Sequence, residues 1–363
     1  MEVKEFLSEQ RKEWNEFIAA NSLFNVLQSW EWGEIKKGKN WEALRLGVYR
    51  ENKQVAAAQI LIKKLPFNFR ILYSPYGPVI NWEGSQSDTG EILKSIKEYL
   101  VKISKNKRFL FWKIEPTIKK DEADKLNLPD VLNKIGFKKN NKSIQPGNTS
   151  IVDLTRSEED ILKSFDKDTR YSIKRAEREN TEIKKIISLS DIDSLKSVHN
   201  LCLITAKRGG FISRTWKEIE KVWETMAPDH VRLYQAWFKE NLLAGVIVLT
   251  FGEKGYLLYA GSIRDKELNN KFPNYLLYWE IIKDLKKEGY KKLDLWGIAP
   301  KAIINHPWSK ISLFKKGFRG EEIEYFGAYD LPFSPLYFFY LIADNLRMKM
   351  NNCRKIIIKL ISR

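Results

Sequence analysis

Cysteine and histidine are scarce in this chain of 363 residues, which has two cysteines and three histidines. The cysteines are Cys202 and Cys353, and the histidines are His199, His230 and His306. None of these residues has the spacing of a zinc site, and two cysteines do not make a disulfide framework. We therefore expect no bound metal, and a reducing compartment fits best.

Long apolar runs are also missing. The longest apolar stretch near the end of the chain, residues 336–343, is far shorter than the roughly 20 residues that span a bilayer. Residues 1–7 contain no apolar segment of the kind found in secretion signals. The sequence therefore predicts a protein that is neither exported nor membrane-spanning, and we expect it in the cytoplasm.

Positive charge and aromatic side chains are abundant. The chain has 63 Lys and Arg against 46 Asp and Glu, a net charge of +17, and 12 of its residues are Trp. A hydrophobic content of 43% excludes a disordered chain. The charge favours polyanionic partners such as nucleic acid, nucleotide-linked substrates or anionic lipid. The length predicts two domains, each large enough for its own core.

The second half of the sequence repeats the first, with matching landmarks in the same order. Each half contains a predicted hairpin, a third strand, a helix with apolar residues at a 3.6-residue period, and a buried strand with a Trp-x-Ile-x-Pro signature. The matching landmarks are the turns Glu51-Asn52 and Glu240-Asn241, the strand residues Tyr73 and Tyr259, the signature residues Trp112 and Trp296, and the dipeptides Gly136-Phe137 and Gly317-Phe318.

Three strands, a helix and a further strand, in a mixed sheet with a splayed centre, are typical of GNAT acyltransferases. The sequence therefore predicts a mixed α/β (α+β) fold with two tandem GNAT-like modules. The polar stretch 138–149 is the predicted linker, and Ser157 is the predicted N-cap of the next helix. We expect a first, acceptor-side module over 1–147, completed by 318–363, and a second, donor-side module over 148–317.

Five segments, in one order along the chain, resemble the Fem-type aminoacyltransferases (FemA, FemB and FemX). They are Leu27–Lys36, Tyr73–Val79, Asp168–Arg178, Pro273–Glu280 and Phe314–Phe318. There is no long charged insert between Phe211 and His230, so the chain is most similar to FemX-like members, without the helical arm of FemA and FemB.

The resemblance implies an enzyme that moves an amino acid from aminoacyl-tRNA to an amine on the stem peptide of a peptidoglycan precursor, UDP-linked (UDP-MurNAc-peptide) or lipid-linked (lipid II). An ester of this kind is already activated, so a direct attack by the amine needs no cofactor and no enzyme nucleophile. We expect a monomer.

Three residues are catalytic candidates on this resemblance. Lys315 would stabilise the oxyanion of the tetrahedral intermediate, and Phe314 would position the terminal adenosine. Glu115, which ends the strand of the first Trp-x-Ile-x-Pro signature, would bind or deprotonate the acceptor ammonium. The alternatives are a solvated surface lysine at 315 and a strand-end carboxylate in water at 115.

Four further residues are candidates for substrate binding. Lys36 follows the Trp30/Trp32 pair on a predicted helix, where an ammonium group can meet a diphosphate or a carboxylate. Arg214 resembles a family arginine near the acceptor. Tyr73 and Tyr259 match each other across the repeat, so a structural role is the alternative for both.

Two basic segments suggest polyanionic partners. Lys167, Arg170, Lys174 and Arg178 recur at steps of three or four residues, which predicts one helical stripe that tracks tRNA phosphates. Residues 336–363 combine apolar side chains with basic ones and suit peripheral contact with anionic membrane. A solvated basic face and a terminal helix packed on the first module are the respective alternatives.

Two other functions remain open on sequence alone. One is an acyl-CoA-dependent N-acyltransferase of the GNAT fold, although neither 261–266 nor 77–82 supplies the glycine-rich turn that holds a pyrophosphate. The other is a non-catalytic protein that binds tRNA or the cell envelope.

Overall fold

The computed structural model of the protein describes residues 1–80, 86–104, 107–188, 190–265, 267–303 and 306–347. The strands are β1 (Glu2–Glu5), β2 (Trp41–Arg50), β3 (Lys53–Lys64), β4 (Phe69–Ser74), β5 (Val79–Ile80), β6 (Arg108–Ile114), β7 (Lys138–Asn140), β8 (Asn148–Asp153), β9 (Glu182–Ile186), β10 (Val231–Phe238), β11 (Asn241–Phe251), β12 (Lys254–Ser262), β13 (Lys292–Asp294), β14 (Glu321–Glu324) and β15 (Ala328–Pro332).

Helices cover the sheets and join their strands. They are α1 (Arg11–Ala20), α2 (Trp30–Lys36), α3 (Gln86–Ile103), α4 (Lys120–Lys125), α5 (Leu128–Ile135), α6 (Glu158–Ser164), α7 (Lys167–Arg178), α8 (Ile192–Gly209), α9 (Trp216–Met226), α10 (Pro273–Lys287) and α11 (Ser309–Lys316). Residues 336–347 are also helical. As predicted, Ser157 caps α6, because its hydroxyl accepts the backbone N–H of Asp160 at 3.1 Å.

The strands form two mixed sheets built on the same plan. The first has the order β1-β2-β3-β4-β6-β15-β7, with β5 paired to β3, and the second has the order β9-β10-β11-β12-β13-β8-β14. In each sheet four antiparallel strands lead to one parallel pair, β4 with β6 and β12 with β13. The predicted mixed α/β fold with a repeated module is confirmed.

The two sheets exchange one strand each. β8 follows β7 in the chain but inserts into the second sheet between β13 and β14. β15 follows β14 but inserts into the first sheet between β6 and β7. The chain thus leaves the edge strand of one sheet, β7 or β14, and its next strand, β8 or β15, completes the other sheet. The expected boundary at residue 317 falls before β14, which still belongs to the second sheet.

The two hairpins match more closely than their sequences suggest. The first turn is Glu51-Asn52, with φ of 48° and 63°, and the second is Lys239-Glu240, with φ of 52° at Lys239. The predicted match of Glu51-Asn52 to Glu240-Asn241 is therefore wrong by one residue. Both hairpins carry a bulge at the same place, directly after Val48 and after Ala236.

The segments around the predicted linker and the second signature also differ from expectation. β7 and β8 take up the ends of the predicted linker, so the connecting loop is only 141–147. β6 and β13 hold the same position in their sheets, but Trp112 lies within β6 whereas Trp296 lies beyond the end of β13. Trp112 is thus part of a strand, whereas Trp296 lies two residues past the end of the corresponding strand.

Within the described part of the chain, three large apolar clusters form the core. One belongs to the first module and one to the second. The third joins the modules, because it contains Trp14 and Phe24 from the first together with Trp223 and Phe251 from the second. The rings of Phe24 and Phe251 lie 6.2 Å apart between centroids. This shared core fixes how side chains from both modules meet at the candidate site.

Candidate functional site

Lys315 lies on α11, but its ammonium group is buried rather than solvated. The residue is 6% exposed, and its Nζ donates hydrogen bonds to the carbonyl oxygens of Gly297 at 2.9 Å and Trp296 at 3.3 Å. Burial lowers the pKa of Lys315 to about 8. A lysine ammonium has three N–H donors, so these two carbonyls leave one donor for a ligand.

Asp294, at the end of β13, holds the turn that presents those two carbonyls. Trp296 has a φ of 64°, a left-handed conformation that is rare outside glycine. The Asp294 carboxylate accepts the backbone N–H of Trp296 at 2.8 Å and the hydroxyl of Thr149, which lies on the exchanged strand β8. Burial raises the pKa of Asp294, and the hydrogen bonds and the nearby Lys254 and Lys315 oppose that rise.

The sequence analysis did not single out Asp294. The signal available was a carboxylate two residues before the second signature tryptophan, at the end of the short strand Lys292-Leu293-Asp294. Its hydrogen bonds to Thr149 and Trp296 depend on tertiary structure, and the sequence pattern did not predict them.

Phe314, which precedes Lys315 on α11, forms one edge of an aromatic shelf. Its ring centroid lies 4.9 Å from that of Tyr278, 5.0 Å from that of Tyr275 and 5.4 Å from that of Phe318. Phe314 and Tyr275 are partly exposed, whereas Tyr278 and Phe318 are buried. The shelf therefore presents aromatic surface on which a planar base can stack.

Glu115 is also buried, but its carboxylate already has three hydrogen-bond donors. Its oxygens accept the hydroxyl of Tyr73 at 2.6 Å and the backbone N–H groups of Ile144 at 2.5 Å and Gln145 at 3.1 Å. Burial raises the pKa of Glu115, and these hydrogen bonds oppose that rise. The alternative of a carboxylate in water is wrong, and Glu115 ties the connecting loop to the first sheet.

Tyr76 lies where the two modules meet, between the surroundings of Glu115 and Asp294. Its ring is 5.6 Å from that of Trp296 and 5.4 Å from that of Tyr325, between centroids. Burial raises the pKa of Tyr76 well above its ordinary value, and Tyr325, Asp294 and Glu115 add to the rise. Its hydroxyl donates to the carbonyl of Pro146 at 2.8 Å, so this tyrosine also anchors the connecting loop.

A second cluster brings together three of the predicted substrate-binding residues. Lys36 ends α2 of the first module, while Arg214 precedes α9 and Tyr259 lies on β12 of the second. Burial, together with the positive charge of Arg214, lowers the pKa of Lys36 to about 8. Burial raises the pKa of Tyr259 to about 12, and Arg214 opposes that rise. Lys36 and Arg214 thus bring two positive charges from different modules close together.

The local contacts keep this cluster ordered but accessible. The Lys36 ammonium lies 4.7 Å from the ring centroid of Trp32, and Arg214 is half-exposed with one ion pair, at 3.4 Å, to Glu218. Tyr73 is not part of the cluster, because its hydroxyl binds Glu115. The repeat partners Tyr73 and Tyr259 therefore lie in different surroundings.

The predicted basic stripe lies on α7, opposite the helix face that packs on the second module. Lys167, Lys174 and Arg178 are exposed, whereas the buried positions are Thr169, Ser172, Ile173 and Ala176. Arg170 differs from the other three, because its guanidinium donates to the carbonyl oxygens of Lys163 and Phe165. Three of the four predicted residues therefore present their charge to solvent.

Metal-binding groups and membrane-spanning helices are both absent from the part of the chain that the structure describes. No cluster of three or more His, Cys, Asp or Glu side chains there could hold a metal ion. Within the same residues, no helix is both long and apolar enough to cross a bilayer.

Comparison with known proteins gives consistent matches. The Lipid II:glycine glycyltransferase of Staphylococcus aureus (strain MRSA252) is 28% identical over 226 residues, which is 60% of this chain and 51% of that relative. The chain thus matches about half of the relative's length. The crystal structure of FemX has a TM-score of 0.81 at 21% identity and covers 93% of this chain and 99% of that chain.

The fold is shared more widely. A tandem GNAT protein from the clavulanic acid biosynthesis pathway has a TM-score of 0.51 at 9% identity and covers 92% of this chain and 99% of that chain. Together with the repeated sheets, this defines a protein with two tandem GNAT-like modules, as predicted. Residues 10–237 and 232–345 match the FemAB family, and the chain belongs to that family. Between Phe211 and His230 it has the short helix α9.

Proposed function

We propose that this protein transfers an aminoacyl group from aminoacyl-tRNA to an amine on the stem peptide of a peptidoglycan precursor. Membership of the FemAB family supports a peptidoglycan acceptor. The observation that carries the proposal is the buried ammonium of Lys315, which uses two of its three N–H donors on carbonyl oxygens and lies on the same helix as Phe314 of the aromatic shelf. We expect the reaction on the cytoplasmic side of the membrane, with the protein acting as a monomer.

The chemistry needs charge stabilisation and alignment. The acceptor amine attacks the ester carbonyl, a carbon–nitrogen bond forms, and the carbon–oxygen bond to the terminal ribose of the tRNA breaks. The acceptor starts as an ammonium group and loses one proton to solvent before the neutral amine attacks. After the attack the nitrogen gives up a second proton, and the departing ribose oxygen takes it up to leave as a hydroxyl. Lys315 donates to the oxyanion that develops during the attack, and Phe314 and Tyr275 hold the terminal adenine on their exposed faces.

The acceptor is proposed to bind at the cluster of Lys36, Arg214 and Tyr259. UDP-linked and lipid-linked precursors both carry a diphosphate. Two neighbouring cations suit a diphosphate better than they suit a single carboxylate. Because Lys36 and Arg214 come from different modules, the bound diphosphate would bridge the modules. Glu115 would act by fixing the connecting loop rather than by taking a proton from the acceptor.

The tRNA is proposed to lie along Lys167, Lys174 and Arg178 on α7. Their charges are exposed on one helix face. Such a stripe follows a phosphate backbone and makes binding sensitive to salt. Arg170 would contribute to the local field, because its donors are directed to Lys163 and Phe165. Peripheral membrane contact through 336–363 is a separate prediction from the sequence.

The main competing function is acyl transfer from coenzyme A on the same fold. In this chain α10, the helix after β12, begins at Pro273, which has no backbone N–H to offer a pyrophosphate at that helix end. Residues 254–265 contain glycine only at 255 and 261, so they form no glycine-rich turn. Both features favour the tRNA donor, and neither bears on the third possibility, a binding protein without activity.

One experiment separates the three functions. The purified protein is incubated with a peptidoglycan precursor and either radiolabelled aminoacyl-tRNA or radiolabelled acetyl-CoA, and the label on the precursor is counted. We expect label only from aminoacyl-tRNA, and roughly 10²–10³ times slower labelling with Lys315→Ala. The matched control is Lys316→Ala on the same helix, whose ammonium pairs with Glu322 at 2.9 Å. Transfer from acetyl-CoA, or none from either donor, would contradict the proposal.

A further inference from the structure

The helix formed by residues 336–347 has two apolar faces. Its inner face packs on the outside of the first sheet, where Tyr337 and Tyr340 lie 5.2 and 5.4 Å from Phe111 between ring centroids. The hydroxyl of Tyr337 also donates to the buried carboxylate of Asp330 at 3.0 Å. This face accounts for the expected packing of a terminal helix on the first module.

None of the residues that the structure describes covers the outer face of the same helix. Phe338, Phe339, Ile342 and Leu346 are 50%, 69%, 58% and 56% exposed. At 3.6 residues per turn these side chains lie opposite Tyr337, Tyr340 and Leu341. A solvent-facing helix surface is ordinarily polar, so a continuous row of large apolar side chains indicates a partner surface.

The charged residues around this face are mainly basic. Asp344 is the single acidic residue from 336 to the end of the sequence. Its carboxylate is paired with Arg347 at 3.0 Å and lies 3.6 Å from the ammonium of Lys142. The Lys138 ammonium lies 5.1 Å from the ring centroid of Phe338. The sequence then continues with five basic residues and no acidic one: Lys349, Arg354, Lys355, Lys359 and Arg363.

We propose that the outer face of helix 336–347 docks on an anionic phospholipid bilayer, with Phe339 and Ile342 entering the interface and Lys138 meeting the headgroups. Apolar insertion and basic charge together give the two signals that stable peripheral binding requires. A second copy of the chain is a poorer partner, because the two basic surroundings would repel each other. The docking itself does not depend on the proposed function. Only its biological role rests on that function, because docking would bring the site close to a lipid-linked acceptor.

The test measures vesicle binding and needs no transfer reaction. The full chain is sedimented with vesicles of phosphatidylcholine alone or of phosphatidylcholine with phosphatidylglycerol, at low and high salt. We expect binding to the anionic vesicles, weakened by salt, and at least about tenfold weaker for Phe339→Ser/Ile342→Ser, because both side chains lose their buried area. The matched control Ile187→Ser removes a side chain that is 56% exposed beside the second sheet, and it should bind like the unaltered protein.

Several results would overturn the proposal. They are no binding to either vesicle, equal binding by the double variant, and self-association in the absence of lipid that the double variant abolishes. Transfer to a soluble UDP-linked acceptor, measured on the same proteins, should be unchanged by the double variant, which also shows that it folds. If the unaltered protein binds vesicles but transfers nothing, the proposed function fails and the membrane surface stands.

Discussion

The ammonium of Lys315 donates a hydrogen bond of 2.9 Å to the carbonyl oxygen of Gly297, three residues beyond the end of β13. The contact orients a cation that is buried in the second module and still has a donor to offer. It also makes the charge state of Lys315 sensitive to the turn that carries Gly297.

Replacing Lys315 by Ala should lower kcat by roughly 10²–10³ while leaving the KM for the acceptor nearly unchanged, since the charge it stabilises develops in the transition state. Steady-state kinetics with both substrates varied would measure this. Lys316→Ala is the control on the same helix and should retain activity. An unchanged rate at saturating substrates would remove Lys315 from the mechanism.

The rate should fall as pH rises through about 8, the value to which burial lowers the pKa of Lys315. The sign follows from the chemistry, because the protonated ammonium is the form that donates to the oxyanion and deprotonation removes it. A pH–kcat profile would show this as an alkaline limb. The limb should be lost in Lys315→Ala, and a limb that persists in that variant would belong to another group.

Asp294→Asn should move the same alkaline limb to lower pH, because the negative charge of Asp294 favours the charged form of Lys315. We expect a roughly tenfold loss of kcat at pH 8, smaller at pH 6. Thr149→Val removes one hydrogen bond to the same carboxylate but leaves its charge, and therefore serves as the comparison. If both variants lost stability without moving the limb, Asp294 would have a purely structural role.

Glu115→Gln should destabilise the fold by about 1–3 kcal/mol, since a charged acceptor of two backbone N–H groups becomes a neutral amide with one oxygen. The connecting loop 141–147 should then be cleaved faster by proteases. Chemical denaturation and limited proteolysis would measure the two effects. Tyr73→Phe, which removes one donor and keeps the carboxylate, should be milder. A raised acceptor KM with unchanged stability would instead support the acceptor-binding role expected from the resemblance.

Charge removal on α7 and on α2 should affect different substrates. Lys174→Gln/Arg178→Gln should raise the KM for aminoacyl-tRNA and reduce its logarithmic salt slope by roughly one for each lost phosphate contact. Lys36→Ala should weaken binding of the acceptor only. The neighbouring change Lys37→Ala should leave acceptor binding unchanged.

The assay for this division varies both substrates across a salt series. Lys53→Gln/Lys94→Gln, two exposed charges on the first module, controls for the overall field. Equal effects of the α7 and α2 variants on both substrates would mean that the charge acts only through that field.

Much of the fold could be predicted because its signals are local. The 3.6-residue period of α3 and α10, the polar hairpin turns and the Ser157 cap depend on residues close in sequence. The repeat indicated two copies of one module, since corresponding side chains are buried in both. The one-residue error at the second turn arose because Lys239 and Glu240 are both polar, and only strand pairing shows which residues turn.

The sequence by itself determined the two-module fold, the excess of positive charge and the helical stripe on α7. Tertiary structure alone decided the strand exchange of β8 and β15, because the side-chain pattern of a strand states which face is buried but not which neighbour it pairs with. It likewise decided the surroundings of Lys315, Asp294 and Glu115. Whether a charged side chain is solvated or buried with partners depends on groups brought from distant parts of the chain, and those partners set its pKa.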